Sequence, residues 1–179
     1  MANFHYLNKS DFPELASAIF KIFRDNMETI APSGMSCEDE YRWWREAVGD
    51  GLKADARQII LVRRTDTNQI IGFFQYYTNE TTFMIEEIQI LSEYQGTANF
   101  LHRLYGFVLA NIPQDLEFVE AYARKENIRS IALQRKLGME IVGSDKSGTL
   151  YHLKGRFSDF ANWYNERKPG TKNNSYFHC

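Results

Sequence analysis

Two adjacent glutamates begin the segment of this chain whose residue types and positions could do chemistry. Glu86 and Glu87 lie in a segment rich in Ile, Phe and Thr, which is typical of a β-strand. Because side chains alternate along a strand, Glu87 should share one face with Gln89, and Glu86 should share the other with Ile88. A carboxylate fixed on a strand can accept a proton from a reacting group, directly or through water. Glu87 is the better candidate for such a base, and an ordinary solvated carboxylate is an equally good interpretation.

The same strand runs through a polar turn directly into a helix. A turn from strand to helix points backbone N–H groups and the positive end of the helix outward, and this geometry suits phosphate groups. The alternative is a connection that binds nothing. The turn consists of Gln95, Gly96, Thr97, Ala98, Asn99 and Phe100.

Other reactive side chains give weaker signals. The four histidines and two cysteines lack the spacing of metal ligands, so no metal site is predicted. A basic cluster is either a solvated charged face or a contact for a small anion. It consists of Arg124, Lys125, Arg129, Arg135 and Lys136, with Arg103 on the preceding helix.

The elements that must position these residues follow from hydrophobic periodicity and from turn residues. Strands are predicted at 2–7, 58–63, 69–77, 82–91, 116–123, 139–142 and 149–154. Helices are predicted to begin at Ser10 or Asp11, at Ser36, at 98, at Asn127 and at Ser158. The segment Gly49–Gly51 is predicted to stop the second helix.

The order of these elements predicts an α/β (α+β) domain with a mixed, mostly antiparallel central sheet flanked by helices. The strands at 58–63, 69–77 and 82–91 are connected by short polar segments, so they are predicted to pair as consecutive antiparallel hairpins. The helix after 82–91 must cross over before 116–123 begins. These last two strands are therefore predicted to form a parallel central pair.

Three motifs and this element order resemble the GNAT superfamily of acyl-CoA N-acyltransferases. Ser92–Gly96 resembles the family's turn into its cofactor loop, and Lys136–Met139 resembles its basic-Leu-Gly-aromatic signature. Asn127 lies where the family commonly has an asparagine. The resemblance covers about Phe4 to Lys154. It implies a GNAT-like domain over 1–155, with 156–179 as a C-terminal extension of a short helix and an irregular tail in the same globule.

The resemblance also implies an activity and a set of binding residues. In this family the loop amides bind the pyrophosphate of acetyl-CoA or another acyl-CoA, the pantetheine lies between the two parallel strands, and an amine attacks the thioester. The implied cofactor contacts are Ile88, Gln89 and Ile90 on the strand, the six residues of the 95–100 turn, and Asn127, for which a helix cap is the better interpretation. Because the first two helices flank the acceptor groove, one of Trp43 and Trp44 is expected to line it. A partly exposed packing aromatic is the alternative.

Two departures from the family pattern leave a second function open. Ala98 and Phe100 stand where the loop usually has smaller or more permissive residues, and Gln134 stands where the family has the tyrosine that acts as general acid. An amide can hydrogen-bond a leaving sulfur but cannot protonate it. The chain is thus expected to be an N-acyltransferase acting on a primary amine of a small molecule or peptide, with a catalytically weak acyl-CoA-binding or ligand-binding domain as the alternative.

Composition limits the partners. The chain has 179 residues, 44% of them hydrophobic, with a net charge of −2 and no long apolar run. This predicts one compact cytoplasmic domain whose partners are neither nucleic acid nor membrane. The identity of the amine, the acyl chain length and a homodimer stay open.

Overall fold

A computed structural model describes residues 2–96 and 99–167 of the chain. Seven strands form one sheet, flanked by five α-helices. The strands are β1 (Ala2–Tyr6), β2 (Gln58–Arg64), β3 (Ile70–Thr78), β4 (Thr82–Ile90), β5 (Phe118–Arg124), β6 (Glu140–Ser144) and β7 (Leu150–Arg156). The helices are α1 (Phe12–Met27), α2 (Cys37–Lys53), α3 (Phe100–Leu109), α4 (Ile128–Lys136) and α5 (Phe157–Glu166).

The sheet has the order β1-β2-β3-β4-β5-β7-β6, and only β4 and β5 pair in parallel. The predicted mixed sheet and its parallel central pair are therefore confirmed. The chain reaches β5 from β4 through α3, because a parallel neighbour requires a crossover connection.

Each face of the sheet carries its own hydrophobic core. On one face α1 and α2 pack against Ile59, Leu61 and Phe73. On the other face α3, α4 and α5 cover a larger core that includes Phe74 and Phe83. The alternation of side chains along β2 and β3 fills both cores, which explains why these strands are continuous runs of apolar residues.

The second helix begins as predicted but ends later. The Ser36 side chain accepts a hydrogen bond from the backbone N–H of Asp39 (3.1 Å), which caps α2. The prediction that Gly49–Gly51 stops the helix is wrong, since α2 continues to Lys53. A Cβ atom on Gly49 would lie 3.3 Å from the Phe12 ring, so this glycine permits close packing of helix on helix.

Helix α1 begins where predicted, with Asp11 in the N-cap position, but the Asp11 side chain makes no capping hydrogen bond, and a short 3₁₀ turn, Lys9–Asp11, leads into the helix. The predicted cap of the last helix is wrong. Ser158 lies inside α5, which begins at Phe157 directly after β7. Strand and helix are contiguous there, so no loop residue is left to cap the helix.

Helix α5 packs against the chain's own sheet and α3. Phe160 is fully buried, and the Tyr164 ring stacks on His102 with ring centroids 4.5 Å apart. A Cβ atom on Gly106 would lie 2.5 Å from the Tyr164 hydroxyl oxygen, so the absence of a side chain there allows this contact. The predicted irregular tail at 168–179 lies outside the described residues.

Candidate active site

Strands β4 and β5 separate partway along their length. Their ladder ends at the pair Ile85–Ala121, whereas β4 continues to Ile90 and β5 to Arg124. A cavity of about 1780 Å³ opens at this divergence and reaches both faces of the sheet. Ligands of open α/β sheets commonly bind beyond the carboxyl ends of parallel strands, at such an opening.

A β-bulge places both glutamates on the same face of β4. Gln75 of β3 pairs with Glu87, but its neighbour Tyr76 pairs with Ile85, so Glu86 is the extra residue. Ile85 and Ile88 on either side both pack into the core under α3. Glu86 and Glu87 therefore point together toward the α1–α2 side, and the predicted opposite faces are wrong.

Glu86 is engaged in an ion pair. Arg57 donates two hydrogen bonds to it, from Nε to Oε2 (2.6 Å) and from Nη2 to Oε1 (2.7 Å). Gln75 Nε2 donates a further bond to Glu86 Oε2 (3.1 Å). This geometry fixes Glu86 and engages both of its carboxylate oxygens, which does not suit it to take a proton from a substrate.

Glu87 has the opposite electrostatic environment. The pKa of its carboxyl is raised from an ordinary value of 4.5 to about 7. Burial is the main cause; the hydrogen bond from Gln89 lowers the pKa, the adjacent Glu86 carboxylate raises it, and the more distant charge of Arg57 lowers it. Gln89 Nε2 donates that bond to Glu87 Oε2 over 2.8 Å. A carboxyl group that titrates near neutrality inside a cavity is well suited to act as a general base.

We expect Glu87→Gln to stabilise the fold at high pH. Above a pH near 4.5 the unfolded chain ionises Glu87, whereas the folded chain keeps its proton up to about 7. The wild type therefore loses stability as pH rises through this window, and Gln, which cannot ionise, does not. The variant should be more stable by on the order of 2 kcal/mol at pH ~8 and about equal at pH ~4. Urea unfolding at the two pH values measures this, and an equal difference at both would contradict it.

A chain of hydrogen bonds connects the predicted cofactor turn to Glu87. Arg129 Nη1 donates to Gln95 Oε1 (3.4 Å), Gln95 Nε2 to Asn26 Oδ1 (3.3 Å), Asn26 Nδ2 to Gln89 Oε1 (2.9 Å), and Gln89 in turn to Glu87. Each amide accepts from one neighbour and donates to the next. Asn26 at the end of α1 is a site residue that the sequence analysis missed, because it comes 63 positions before Gln89 and shares no motif with it.

The cofactor turn lies at the carboxyl end of β4. Gly96 and Asn99 both have left-handed backbone conformations, with φ of +78° and +65°, and these two residue types tolerate that region best. Thr97 and Ala98 lie outside the described residues. Phe100 lines the cavity, but its ring also packs edge-on against Phe4 at 6.0 Å between centroids.

Asn127 and Gln134, at the start and near the end of α4, are the predicted site residues on this helix, and within the described part of the chain only the first has a partner for its side-chain oxygen. Asn127 Oδ1 accepts a bond from the Ser130 backbone N–H (3.0 Å), which confirms that it caps α4. Gln134 is 4% exposed and lines the cavity, and its Oε1 atom has no hydrogen-bond partner among the described residues. A buried acceptor without a donor is unfavourable by about 1–3 kcal/mol, and a bound group with an N–H or S–H could satisfy it.

The predicted strand and tryptophan contacts all line the cavity. Ile88, Gln89 and Ile90 do so on β4. Both tryptophans line the cavity too, but Trp44 is 4% exposed and packs in the core under α1, whereas Trp43 is 63% exposed. Adjacent helix positions point about 100° apart, so one of the two had to leave the core.

Of the basic residues, Arg124 and Arg129 line the cavity. Arg103 instead donates to the Ala2 carbonyl (2.5 Å) and lies over the Phe4 ring, so it is occupied by packing within the fold. Among residues 2–96 and 99–167, no group of His, Cys, Asp and Glu could hold a metal ion. Over the same residues, every helix is too short or too polar to cross a bilayer.

No protein-family model and no curated protein matches the sequence. Solved structures are similar to it at 12–14% identity. An acetyltransferase from Thermus thermophilus has a TM-score of 0.65 at 14% identity, over 87% of this chain and 97% of that one. PaiA N-acetyltransferase from Thermoplasma acidophilum, in complex with coenzyme A, has a TM-score of 0.62 at 12% identity, over 88% and 99%.

Spermidine N-acetyltransferase from Vibrio cholerae, in complex with CoA and spermine, has a TM-score of 0.61 at 14% identity, over 90% of this chain and 98% of that one. These likenesses extend over nearly the whole of each solved chain. A putative acetyltransferase of the GNAT family from Desulfovibrio desulfuricans is similar as well, with a TM-score of 0.63 at 13% identity, over 87% and 98%. Together with the seven-stranded mixed sheet and the divergence of β4 from β5, these likenesses show that this chain has the fold of the GNAT acetyltransferases.

Proposed function

We propose that the chain is an N-acyltransferase that moves an acetyl or other acyl group from acyl-CoA to a primary amine of a small molecule or peptide. The observation that carries this proposal is Glu87, a half-buried carboxyl group in the cavity where β4 and β5 diverge, with its pKa raised to about 7. Two similar solved structures hold coenzyme A, which supports the choice of cofactor.

The described residues offer a place for each of the two reactants. The pantetheine would lie along β4 at 88–90, with the pyrophosphate at Gly96 and the start of α3, and Arg129 is available for the anionic groups. The amine would approach from the α1–α2 side, where Glu87 points. Holding the two reactants in contact can contribute effective molarities of up to roughly 10⁵ to 10⁸ M, which is more than the roughly 10² to 10⁴-fold that acid–base catalysis contributes.

The chemistry then requires one base and no covalent intermediate. Glu87 accepts a proton from the ammonium group, and the free amine attacks the thioester carbonyl. The C–N bond forms and the C–S bond breaks, so CoA leaves as its thiolate, and the extra proton of the new amide passes to that thiolate or to water. A thiol with a pKa near ~8.5 is an acceptable leaving group near neutrality without a dedicated acid.

Release of the CoA thiol tests this reaction. We expect the protein to release thiol from acetyl-CoA faster when a primary amine is added, and mass spectrometry to find the matching amide. Thiol release that is independent of every amine would refute N-acyl transfer. Acyl-CoA binding without any release would favour the weak binding domain, for which the buried amide at Gln134 is the specific observation.

Binding of the cofactor itself should stabilise the fold. At a CoA concentration 100 times its dissociation constant, we expect about 2.7 kcal/mol of additional stability, because only the folded chain presents the site. A thermal melt with and without CoA measures this, and isothermal titration gives the affinity. No shift at millimolar CoA, with no heat of binding, would remove the cofactor assignment and leave only the fold.

A further inference from the structure

The acceptor chamber is the part of the cavity around Glu86 and Glu87, between α2 and β5. Among the described residues, two of the three charged side chains in this chamber, Arg57 and Glu86, neutralise each other, and Glu87 is the third. Arg57 and Glu86 form a two-bond ion pair, and the third guanidinium nitrogen, Nη1, donates to the Ala47 carbonyl (2.8 Å). Each partner of the pair has about one fifth of its side chain exposed. Neither side chain has an unpaired charge left for a ligand.

Glu87 is therefore the one carboxylate in the chamber that lacks a cationic partner among the described residues. The other charged residues of the cavity wall, and His102, lie outside the acceptor chamber. Arg124, Glu126 and Arg129 lie at the end of β5 and the start of α4, and His102, Glu166 and Arg167 belong to α3 and the end of α5, on the opposite face of the sheet.

Gln75 provides a second, uncharged acceptor in the chamber. Its side chain is 5% exposed, and its Nε2 is used by Glu86, but its Oε1 atom has no hydrogen-bond partner within the described part of the chain. Gln75 lies directly across from Glu87 on the neighbouring strand, and both line the cavity. A primary ammonium has three N–H donors, so it can satisfy both oxygens at once.

The remaining walls of the chamber are aromatic or apolar. Trp43 on α2 and Tyr122 on β5 are 63% and 45% exposed, and Met84 and Tyr77 lie across from each other on β4 and β3. Burial raises the pKa of Tyr77, so its hydroxyl stays neutral. These surfaces favour an uncharged carbon skeleton, and exposed aromatic rings beside a cavity are typical of binding surfaces.

We infer that the acceptor is a primary monoamine with an apolar or aromatic skeleton and no second charge, its nitrogen held between the Glu87 carboxylate and Gln75 Oε1. This inference rests on the proposed acyl transfer and narrows its substrate class. A second ammonium or a carboxylate on the acceptor would enter the chamber without a counter-ion, because Arg57 and Glu86 already neutralise each other.

A matched set of amines tests the substrate class on the wild-type protein. Hexylamine, hexamethylenediamine and ε-aminocaproate differ only in the group at the far end of the chain, and phenethylamine adds an aromatic ring. We expect kcat/KM for hexylamine and phenethylamine to exceed that for the two doubly charged compounds about tenfold or more. Equal or better use of the diamine or of aminocaproate would refute the inference while leaving acyl transfer intact. Thiol release that no amine increases would refute both.

The role of Gln75 is tested by Gln75→Met, which keeps the length of the side chain but removes its oxygen, together with the Nε2 donor to Glu86; Glu86 keeps its two hydrogen bonds from Arg57. We expect KM for hexylamine to rise about tenfold, since one hydrogen bond to a charged group is lost, with the pH midpoint of kcat/KM unchanged. Gln69→Met, at an exposed turn position, is the matched control and should behave as wild type. An unchanged KM in Gln75→Met would refute the contact. The amine series needs no variant, so it stays decisive if Gln75→Met does not fold.

Discussion

Glu87→Gln is expected to lower kcat/KM for the amine about 10²-fold or more at neutral pH. Gln keeps the shape of the side chain and can still accept the hydrogen bond from Gln89, so only the basicity is lost. Since the carboxylate form is the base, wild-type kcat/KM should rise with pH through about 7, where Glu87 titrates. The variant should lack this rise and recover part of its activity at high pH, where free amine is abundant.

The control for this experiment follows from the position of the bulge. Glu86→Gln is a poor control, because it would break the ion pair with Arg57 inside the same chamber. Glu80→Gln, in the exposed turn between β3 and β4, removes a carboxylate without touching the cavity and should leave kcat/KM unchanged. If Glu87→Gln retained both wild-type activity and the rise near pH 7, the base would have to lie elsewhere.

Gln134→Tyr is expected to raise kcat about 10-fold to 10²-fold, if departure of the thiolate limits the rate. A phenol at this position can protonate the leaving sulfur, which an amide cannot do. The Gln134 oxygen has no partner among the described residues, so its replacement breaks no hydrogen bond of that atom there. Initial rates of thiol release at saturating amine and acetyl-CoA measure the change.

Gln134→Leu is the matched control for that gain. It fills similar space without a polar group and should leave kcat close to wild type if the amide takes no part in the reaction. A lower kcat in Gln134→Tyr, with the affinity for CoA unchanged, would mean that the Gln134 amide itself functions and that our account of the leaving group is wrong. Calorimetric titration of CoA separates this outcome from weakened binding.

Patterns local to the sequence were enough to predict the fold. The apolar residues of β2, β3 and β4 and the short joints between them fixed three antiparallel strands, and the crossover through α3 fixed β5 as the parallel neighbour of β4. The Ser36 cap of α2 and the Asn127 cap of α4 were also predictable, because a cap involves residues only three positions apart. The prediction that Gly49 helps to stop α2 failed because α2 continues past it to Lys53, and Gly49 instead favours the close approach of Phe12, a tertiary contact.

The arrangement of the candidate site was decided only by tertiary structure. The sequence places Glu86 and Glu87 on one strand, but the bulge that turns both to the same face depends on how β3 pairs with β4, and a one-residue shift in register reverses every later side chain. The roles of the two carboxyl groups then depend on distant partners. Arg57 comes 29 positions before Glu86 and neutralises it, while Glu87 is half-buried, has no ion-pair partner among the described residues and titrates near 7. Such differences arise from burial and from contacts across the fold, which residue types and local spacing do not encode.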